Sequence, residues 1–329
     1  MITNFSESLQ KALANDNIKE YNPTEIQILE ELGSGSFGKV HKGLIKDINQ
    51  FVAIKFLDQI DDKNNEGKGE ETVKSILNEL KTMTAVKNEK IPKFYGVYQQ
   101  QINNSTNIGL IFSFIEGITM DKWLLKNQII VKDQNNVDKI IINIRNSEKC
   151  QIAIQLVEII VVLHDGKVTH RDIKPGNIMI RPDGQLVLLD FGISKMQEKT
   201  MAFTNGVKCT PRYSPPEAFD DCGESFVEYG ITTKFDVWSM GCLIIEIFTG
   251  VAPWSKKFND ANKIMMAMMR KIVYNNYDFP YHKEFEKDFP ELFEVVKHCL
   301  VRDIKQRYTS KQLLEQLIKL EKVYKDRNE

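Results

Sequence analysis

Residues 168–192 read VTHRDIKPGNIMIRPDGQLVLLDFG, and few folds accommodate such a stretch. Two short apolar runs, at 178–180 and 186–189, are separated by Arg181-Pro182-Asp183-Gly184. Proline and glycine at a bend are turn chemistry, so the spacing predicts loop, strand, tight turn, strand and loop. Such a hairpin brings Asn177 and Asp190 to one end. Two oxygen ligands there, with Asp172 nearby, suit a hard cation such as Mg²⁺ that also holds phosphate oxygens. Asp172 is then available to meet a hydroxyl nucleophile. The plainer alternative is a surface hairpin carrying solvated acids.

A second glycine-rich stretch lies upstream. Residues 26–32 are strand-like and lead into Gly33-Ser34-Gly35-Ser36-Phe37-Gly38-Lys39-Val40. Three glycines let backbone amides approach phosphates closely, with no Cβ in the way. The same pattern serves dinucleotide sites, but there a helix starts inside the motif. Here residues 40–45 continue as a strand. The next strand, Phe51-Val52-Ala53-Ile54-Lys55, ends on a lysine. A half-buried ammonium requires a partner, because leaving it unpaired is costly; a lysine that snorkels to the surface is the alternative. Residues 58–71 are polar and read as a loop. From Thr72, apolar residues at 73, 76, 77, 80 and 83 recur at helical spacing, and Glu79 lies on that helix.

HRDIKPGN followed by DFG resembles the catalytic and metal-binding loops of the eukaryotic protein kinases, serine/threonine type, with Gly176 the one departure in the first motif. VAIK at 52–55, the glycine-rich loop, CTPRYSPPE at 209–217, DVWSMG at 236–241 and CLVRDIKQR at 299–307 resemble further motifs of that family, in order. The resemblance runs from residue 24 to about 320. It implies an α+β, bilobal fold: a β-rich N-lobe with one helix, then a larger, mainly α-helical C-lobe. The expected divisions are an N-terminal extension at 1–22, an N-lobe at 23–116 and a C-lobe at 117–329, with one kinase domain over 23–320. The activity implied is ATP- and Mg²⁺-dependent phosphorylation of serine or threonine on protein substrates.

The resemblance also assigns residues. Asp172, Lys174, Lys55 and Glu79 form the catalytic set, with Glu79 the partner of Lys55. Gly33, Gly35, Gly38, Val40, Ala53, Lys55, Phe112, Ser113, Ile115 and Met179 bind ATP. Phe112 lies behind the adenine, and backbone groups of Ser113 and Ile115 bond its edge. Asn177 and Asp190 hold Mg²⁺. Asp236 bonds backbone amides of the catalytic loop, and Glu217 pairs with Arg307. Cys209 and Pro215 depart from the family's usual glycine and alanine.

Elsewhere the pattern is coarser. Residues 94–97 and 108–114 read as strands that complete a five-stranded antiparallel sheet, with 102–107 a polar turn. Residues 120–126 suggest a short helix, and 147–164 a long one capped by Ser147. Residues 127–146 look like an insertion, either a hairpin or an exposed loop. Ser6 could cap a short helix through Ala14, or the N-terminus could be frayed. Met265 to Met269 reads as helix core.

Composition narrows the function classes. The net charge of −1 gives no global argument for nucleic acid or an acidic membrane surface. Five cysteines, with no CxxC pair, indicate neither a zinc site nor a disulfide framework, which fits a reducing, cytoplasmic setting. No signal peptide, membrane span or lipid anchor is visible. Three rivals remain: a pseudokinase scaffold, which predicts loss of Lys55, Glu79, Asp172, Asn177 or Asp190; a small-molecule kinase, which lacks the 210–217 platform; and a tyrosine kinase, which does not usually place lysine at 174.

In the family the chain resembles, an arginine directly before the catalytic aspartate, here Arg171, often binds a phosphate on the activation loop, here 193–210, which orders that segment, with Lys195 adding charge; the alternative is an Arg171 that pairs with Asp or Glu, or a loop ordered without phosphate. Thr204 is the nearest upstream hydroxyl to Thr210, with Thr200 further back. An upstream kinase or autophosphorylation at Thr204 is therefore expected to activate the protein. Mass spectrometry of active protein should find the phosphate, and replacing both threonines by alanine should lower activity; full activity in that unphosphorylated variant would end the idea.

Overall fold

The computed structural model describes residues 18–35, 38–56, 88–102, 105–133, 135–190, 210–219, 232–255 and 283–329. The chain divides into two compact units, Met1–Glu116 and Gly117–Glu329.

The first unit is built on strands β1 (Glu20–Tyr21), β2 (Ile26–Gly35), β3 (Gly38–Ile45), β4 (Gln50–Phe56), β5 (Phe94–Ile102) and β6 (Ser105–Ser113). They form one sheet in the order β1-β5-β6-β4-β3-β2. β-Branched and aromatic residues alternate along β4, so Val52 and Ile54 enter the core while Ala53 and Lys55 lie on the opposite face. The core gathers Tyr21, Ile26, Ile45, Val52, Ile54, Tyr98 and Ile111.

Two expectations for this sheet are corrected. It has six strands, not five, and it is not wholly antiparallel. Glu20 and Tyr21 pair in parallel with Val97 and Tyr98, and the Val97 amide donates to the Lys19 carbonyl at 2.9 Å. Burial of the Tyr21 ring draws this polar stretch into the sheet. The polar turn at 102–107 also shrinks, because Gln100, Gln101 and Ile102 pair with Asn107, Thr106 and Ser105. Backbone pairing runs through residues whose side chains say loop. The helix expected to carry Glu79, the loop expected at 58–71 and the 6–14 segment lie outside the described residues.

The second unit is mainly helical among the described residues. Its helices are α1 (Met120–Asn127), α2 (Asn146–Asp165), α3 (Lys234–Thr249), α4 (Lys283–Asp288), α5 (Pro290–Val296) and α6 (Ser310–Asp326). Strand β7 (Ile118–Thr119) joins β10 (Ile178–Ile180) and β11 (Leu186–Leu188) in a small antiparallel sheet. The insertion at 127–146 resolves as a hairpin, β8 (Gln128–Lys132) paired with β9 (Asp138–Ile142). Gln128 Nε2 donates to the Gly250 carbonyl at 2.7 Å and anchors one end of it. The Met265–Met269 run lies outside the described residues.

Helix α3 is the axis of this unit. Every residue from Phe235 to Phe248 is buried, as expected for a helix apolar all round. Gly250 ends it with a left-handed φ of 71°, its amide donating to the Glu246 carbonyl at 2.8 Å. Helix α6 presents Leu313, Leu317, Leu320 and Tyr324 at alternating spacings of three and four, the stripe of a helix buried on one side. Thr309 caps it, accepting from the Gln312 amide at 3.2 Å while Gln312 Oε1 accepts from the Thr309 amide at 2.8 Å. The cap expected for α2 is corrected: Arg145 holds the N-cap position, and its amide donates to Glu148 at 3.0 Å. Ser147 lies inside the first turn, where its hydroxyl donates to the Glu329 carbonyl at 2.7 Å.

The seating of β1 depends on Gly96. Its φ is +150°, and a Cβ there would overlap the Lys19 carbonyl oxygen. Gly96→Ala should therefore displace β1 and cost about 1–3 kcal/mol in chemical denaturation. Unchanged stability would show that the close approach is not needed.

Candidate active site

The predicted hairpin forms as the turn chemistry requires: Ile178 pairs with Leu188, Met179 with Val187 and Ile180 with Leu186. One step further, the Leu189 amide donates to the Asn177 carbonyl at 2.7 Å. Asn177 and Asp190 thus stand at the same end of the hairpin. Asp190 takes a left-handed backbone, φ 57°, on leaving the strand.

Asp172 is 5% exposed and held by several donors. Asn177 Nδ2 donates to the Asp172 carbonyl and to its Oδ2, both at 2.8 Å. Lys174 Nζ stands 2.6 Å from Oδ2. The Thr210 hydroxyl donates to Oδ1 at 2.8 Å and accepts from Lys174 Nζ at 2.9 Å. Lys174, Thr210 and Asp172 close a triangle. An ionised carboxylate has about four acceptor sites, so this one is oriented but not saturated.

The loop beneath is held from the core. Asp236, on α3, is fully buried. Its Oδ2 accepts the His170 amide and its Oδ1 the Arg171 amide, each at 2.8 Å. His164 Nε2 lies 3.0 Å from Oδ2. Burial works to raise the Asp236 pKa, but the His164 hydrogen bond, the neighbouring imidazoles and the Arg171 amide hold it below the ordinary carboxylate value. Turning two successive amides towards one carboxylate bends the chain, and Arg171 takes a left-handed φ of 69°. Such a conformation costs of order 1–3 kcal/mol in a residue with a side chain, so its surroundings must enforce it. His170 also bridges to the hairpin: its Nδ1 accepts the Asp172 amide at 3.3 Å and its Nε2 donates to the Leu189 carbonyl at 3.0 Å. The Arg171 side chain is buried, which pulls its pKa down to about 10 against the pull of Asp236.

Thr210 opens a platform at 210–217 that is moored to α3. Glu217 and Arg307 form a bidentate pair, Nη1–Oε1 2.6 Å and Nη2–Oε2 3.0 Å, as expected. Two further guanidinium hydrogens go to the Val301 carbonyl at 2.9 Å and the Lys234 carbonyl at 3.0 Å. The guanidinium also stacks 5.1 Å from the Trp238 ring. Tyr213 donates its hydroxyl to Glu246 at 2.6 Å, and Ser239 donates to the Tyr213 carbonyl at 2.9 Å.

In the first unit, strand register places Val40 opposite Lys55, Lys55 opposite Leu110 and Ala53 opposite Phe112. Val40, Ala53, Lys55 and Phe112 therefore share one face of the sheet, away from the core. Lys55 is 9% exposed. Gly33 pairs with Val40 and Gly35 with Gly38, so the three glycines flank the tip of the β2–β3 hairpin. Gly38 has a φ of 118°, which a side chain would strain. The Ser113 amide donates to the Lys93 carbonyl at 2.8 Å and is therefore engaged within the protein. Ile115 follows β6, and Met179 is part-buried at the centre of β10. Glu79, Lys195, Thr200 and Thr204 lie outside the described residues.

A family model described as the protein kinase domain matches residues 26–317. The chain belongs to the protein kinase family. The α+β architecture, with a β-rich first unit and a helical second unit, is that of a kinase, and the family's activity is transfer of phosphate to protein.

This kinase uses residues that motif reading passed over. His164, Tyr213 and Glu246 were not singled out, although Glu246 is the one charged residue between Val237 and Phe248. A lone carboxylate in an apolar run is a signal that it has a buried partner. Thr210 reads as platform and not as a contact of Asp172, because a separation of 38 positions gives no sequence cue.

Two predictions follow from these anchors. Arg307→Ala leaves Glu217 as an uncompensated buried charge and should cost about 3–5 kcal/mol by denaturant titration; a wild-type midpoint would refute the burial of the pair. Burial pushes Glu246 up to about 7, opposed by the Tyr213 hydroxyl and Arg212. Between the ordinary value of 4.5 and about 7, the folded state binds a proton that the unfolded state has released, so stability falls as pH rises. Glu246→Gln should remove that loss, gaining on wild type in thermal midpoint as pH goes from about 5 to 7. A difference that stays constant across the range would rule it out.

Proposed function

We propose that this kinase transfers the γ-phosphoryl group of ATP, with Mg²⁺, to serine or threonine hydroxyls of protein substrates. The observation that carries the reading is the triangle of Asp172, Lys174 and Thr210. Asp172 accepts a hydrogen bond from the substrate hydroxyl and orients its oxygen for attack on the γ-phosphorus. A new P–O bond forms, the bond to the β-phosphate oxygen breaks, and ADP leaves with that oxygen. The hydroxyl proton passes to Asp172 or onward to the phosphate. Lys174 neutralises charge on the transferring group. Little covalent chemistry falls to the protein, so positioning and charge supply the rate.

The donor set fits a hard cation. Asn177 spends its Nδ2 on Asp172, which leaves Oδ1 as its ligand atom, and Asp190 offers a carboxylate at the same strand end. These two residues would hold Mg²⁺, which when bound draws negative charge from the phosphate oxygens. In the first unit, Lys55, paired with Glu79, holds the α- and β-phosphates, and the amides around Gly33, Gly35 and Gly38 cover them. Val40, Ala53 and Phe112, on one face of that unit's sheet, line the adenine. The Ser113 carbonyl and the Ile115 amide bond its edge.

Lys174 and Thr210 crowd Asp172 at 2.6 and 2.8 Å, which favours a hydroxyl on a short, narrow stem over a phenol. The three described cysteines, at 150, 242 and 299, are free and buried, which fits a reducing compartment. Among the described residues no helix is long and apolar enough to cross a membrane.

Incubation with Mg·ATP and a generic protein substrate should yield phosphoserine or phosphothreonine. Asp172→Asn should lower the rate by roughly 10²- to 10⁴-fold. Phosphotyrosine as the product would overturn the specificity, and an unchanged rate in the variant would overturn the role of Asp172.

A further inference from the structure

The carboxylate of Asp236 that holds the catalytic loop has a third donor, and that donor is itself held. His164, on α2, places Nε2 3.0 Å from Asp236 Oδ2 and Nδ1 2.9 Å from the hydroxyl of Ser310. Ser310 is the first residue of α6, 4% exposed, and the His164 side chain is 7% exposed. A line of hydrogen bonds therefore runs from the start of α6 through an imidazole and a carboxylate to the amides of His170 and Arg171. It ends one residue short of Asp172.

The chemistry of each atom sets the direction of this line. An ionised carboxylate only accepts, so His164 Nε2 must carry a hydrogen. In the neutral ring Nδ1 is then an acceptor, and the Ser310 hydroxyl is the donor that meets it. With both nitrogens engaged the ring has one orientation. Without Ser310, the buried Nδ1 is left unsatisfied and the ring gains reason to turn. Turning withdraws the side-chain donor from Asp236 Oδ2, the same oxygen that accepts the His170 amide. The carboxylate can then rotate, and the left-handed turn at Arg171 loses part of what enforces it.

We infer that Ser310 is a positioning residue for the catalytic loop, acting through the ring of His164 and the carboxylate of Asp236. The preceding residue, Thr309, offers an internal control. Thr309 caps α6 through Gln312 and its side chain is exposed, so it stabilises the same helix by a separate hydrogen bond. Loosening α6 and breaking the line to the loop are therefore separable. The effect on rate rests on the proposed phosphoryl transfer; the effect on the loop does not.

The test compares Ser310→Ala, Ser310→Thr and Thr309→Ala in the full chain, with ¹⁵N-labelled histidine and amide spectra. In Ser310→Ala the His164 Nδ1 signal should move towards that of an unbonded ring nitrogen, and the amide signals of His170 and Arg171 should shift. Ser310→Thr, which keeps the hydroxyl, should restore them, and Thr309→Ala should leave them in place. In the transfer assay Ser310→Ala should lower kcat on the order of tenfold with little change in KM for ATP, as expected for a small misplacement of a catalytic group. Loop amides unmoved in Ser310→Ala, or moved equally by Thr309→Ala, would overturn the inference whether or not the protein transfers phosphate. A wild-type enzyme without transfer activity, but with the expected spectral changes, would overturn the proposed function and uphold the role of Ser310 in the loop.

Discussion

The buried carboxylate of Asp236 is the interaction on which the second unit depends. A charge at 0% exposure is costly unless its lone pairs are filled. Here two backbone amides and an imidazole fill them, at 2.8, 2.8 and 3.0 Å. The arrangement is reciprocal. The loop supplies the donors that make the buried charge tolerable, and the charge enforces the left-handed turn at Arg171 that the loop would otherwise avoid. Asp172 follows directly, so the direction of its carboxylate is inherited from a residue 64 positions away in sequence, on the most buried of the unit's described helices.

The platform at 210–217 repeats the same strategy with different partners. Glu217 meets Arg307, Tyr213 meets Glu246, and Ser239 meets the Tyr213 carbonyl. Each is a polar contact buried against α3, and each is satisfied. Polar contacts in a low-dielectric core are directional, so they fix position more sharply than apolar packing does. The consequence is felt at Thr210, whose hydroxyl reaches Asp172 and Lys174 at 2.8 and 2.9 Å. The 210–217 segment and the loop that carries Asp172 are thereby locked to one helix.

In the first unit the ordering element is register. One residue of slip along β4 would exchange Lys55 with Ile54 and turn the ammonium into the core. The bulk of Val52 and Ile54 on the buried face and the small Ala53 on the other prevent that slip. The antiparallel pairing of β3, β4 and β6 then aligns Val40, Lys55, Ala53 and Phe112 without any contact among their side chains having to direct it.

Much of this was legible in the chain itself. The hairpin at 178–188, the strand carrying Lys55, the hold of Asp236 on the loop amides and the pairing of Glu217 with Arg307 all rest on local pattern or on motifs read in order. Turn residues, alternation and apolar runs are properties of neighbouring residues, and sequence carries them directly. What it did not carry were partners chosen by packing. Tyr21 joined the sheet because its ring could be buried beside Tyr98 and Val97, although the residues around it read as polar tail. Residues 100–102 and 105–107 formed strand because their backbones paired with one another. Arg145 took the cap position expected of Ser147, whose hydroxyl went to Glu329. His164, Ser310 and Thr210 acquired their roles from elements far away in the chain. A hydrogen bond between distant residues needs only proximity and complementary donors and acceptors, and proximity is decided when the helices pack, not when the residues are written in order.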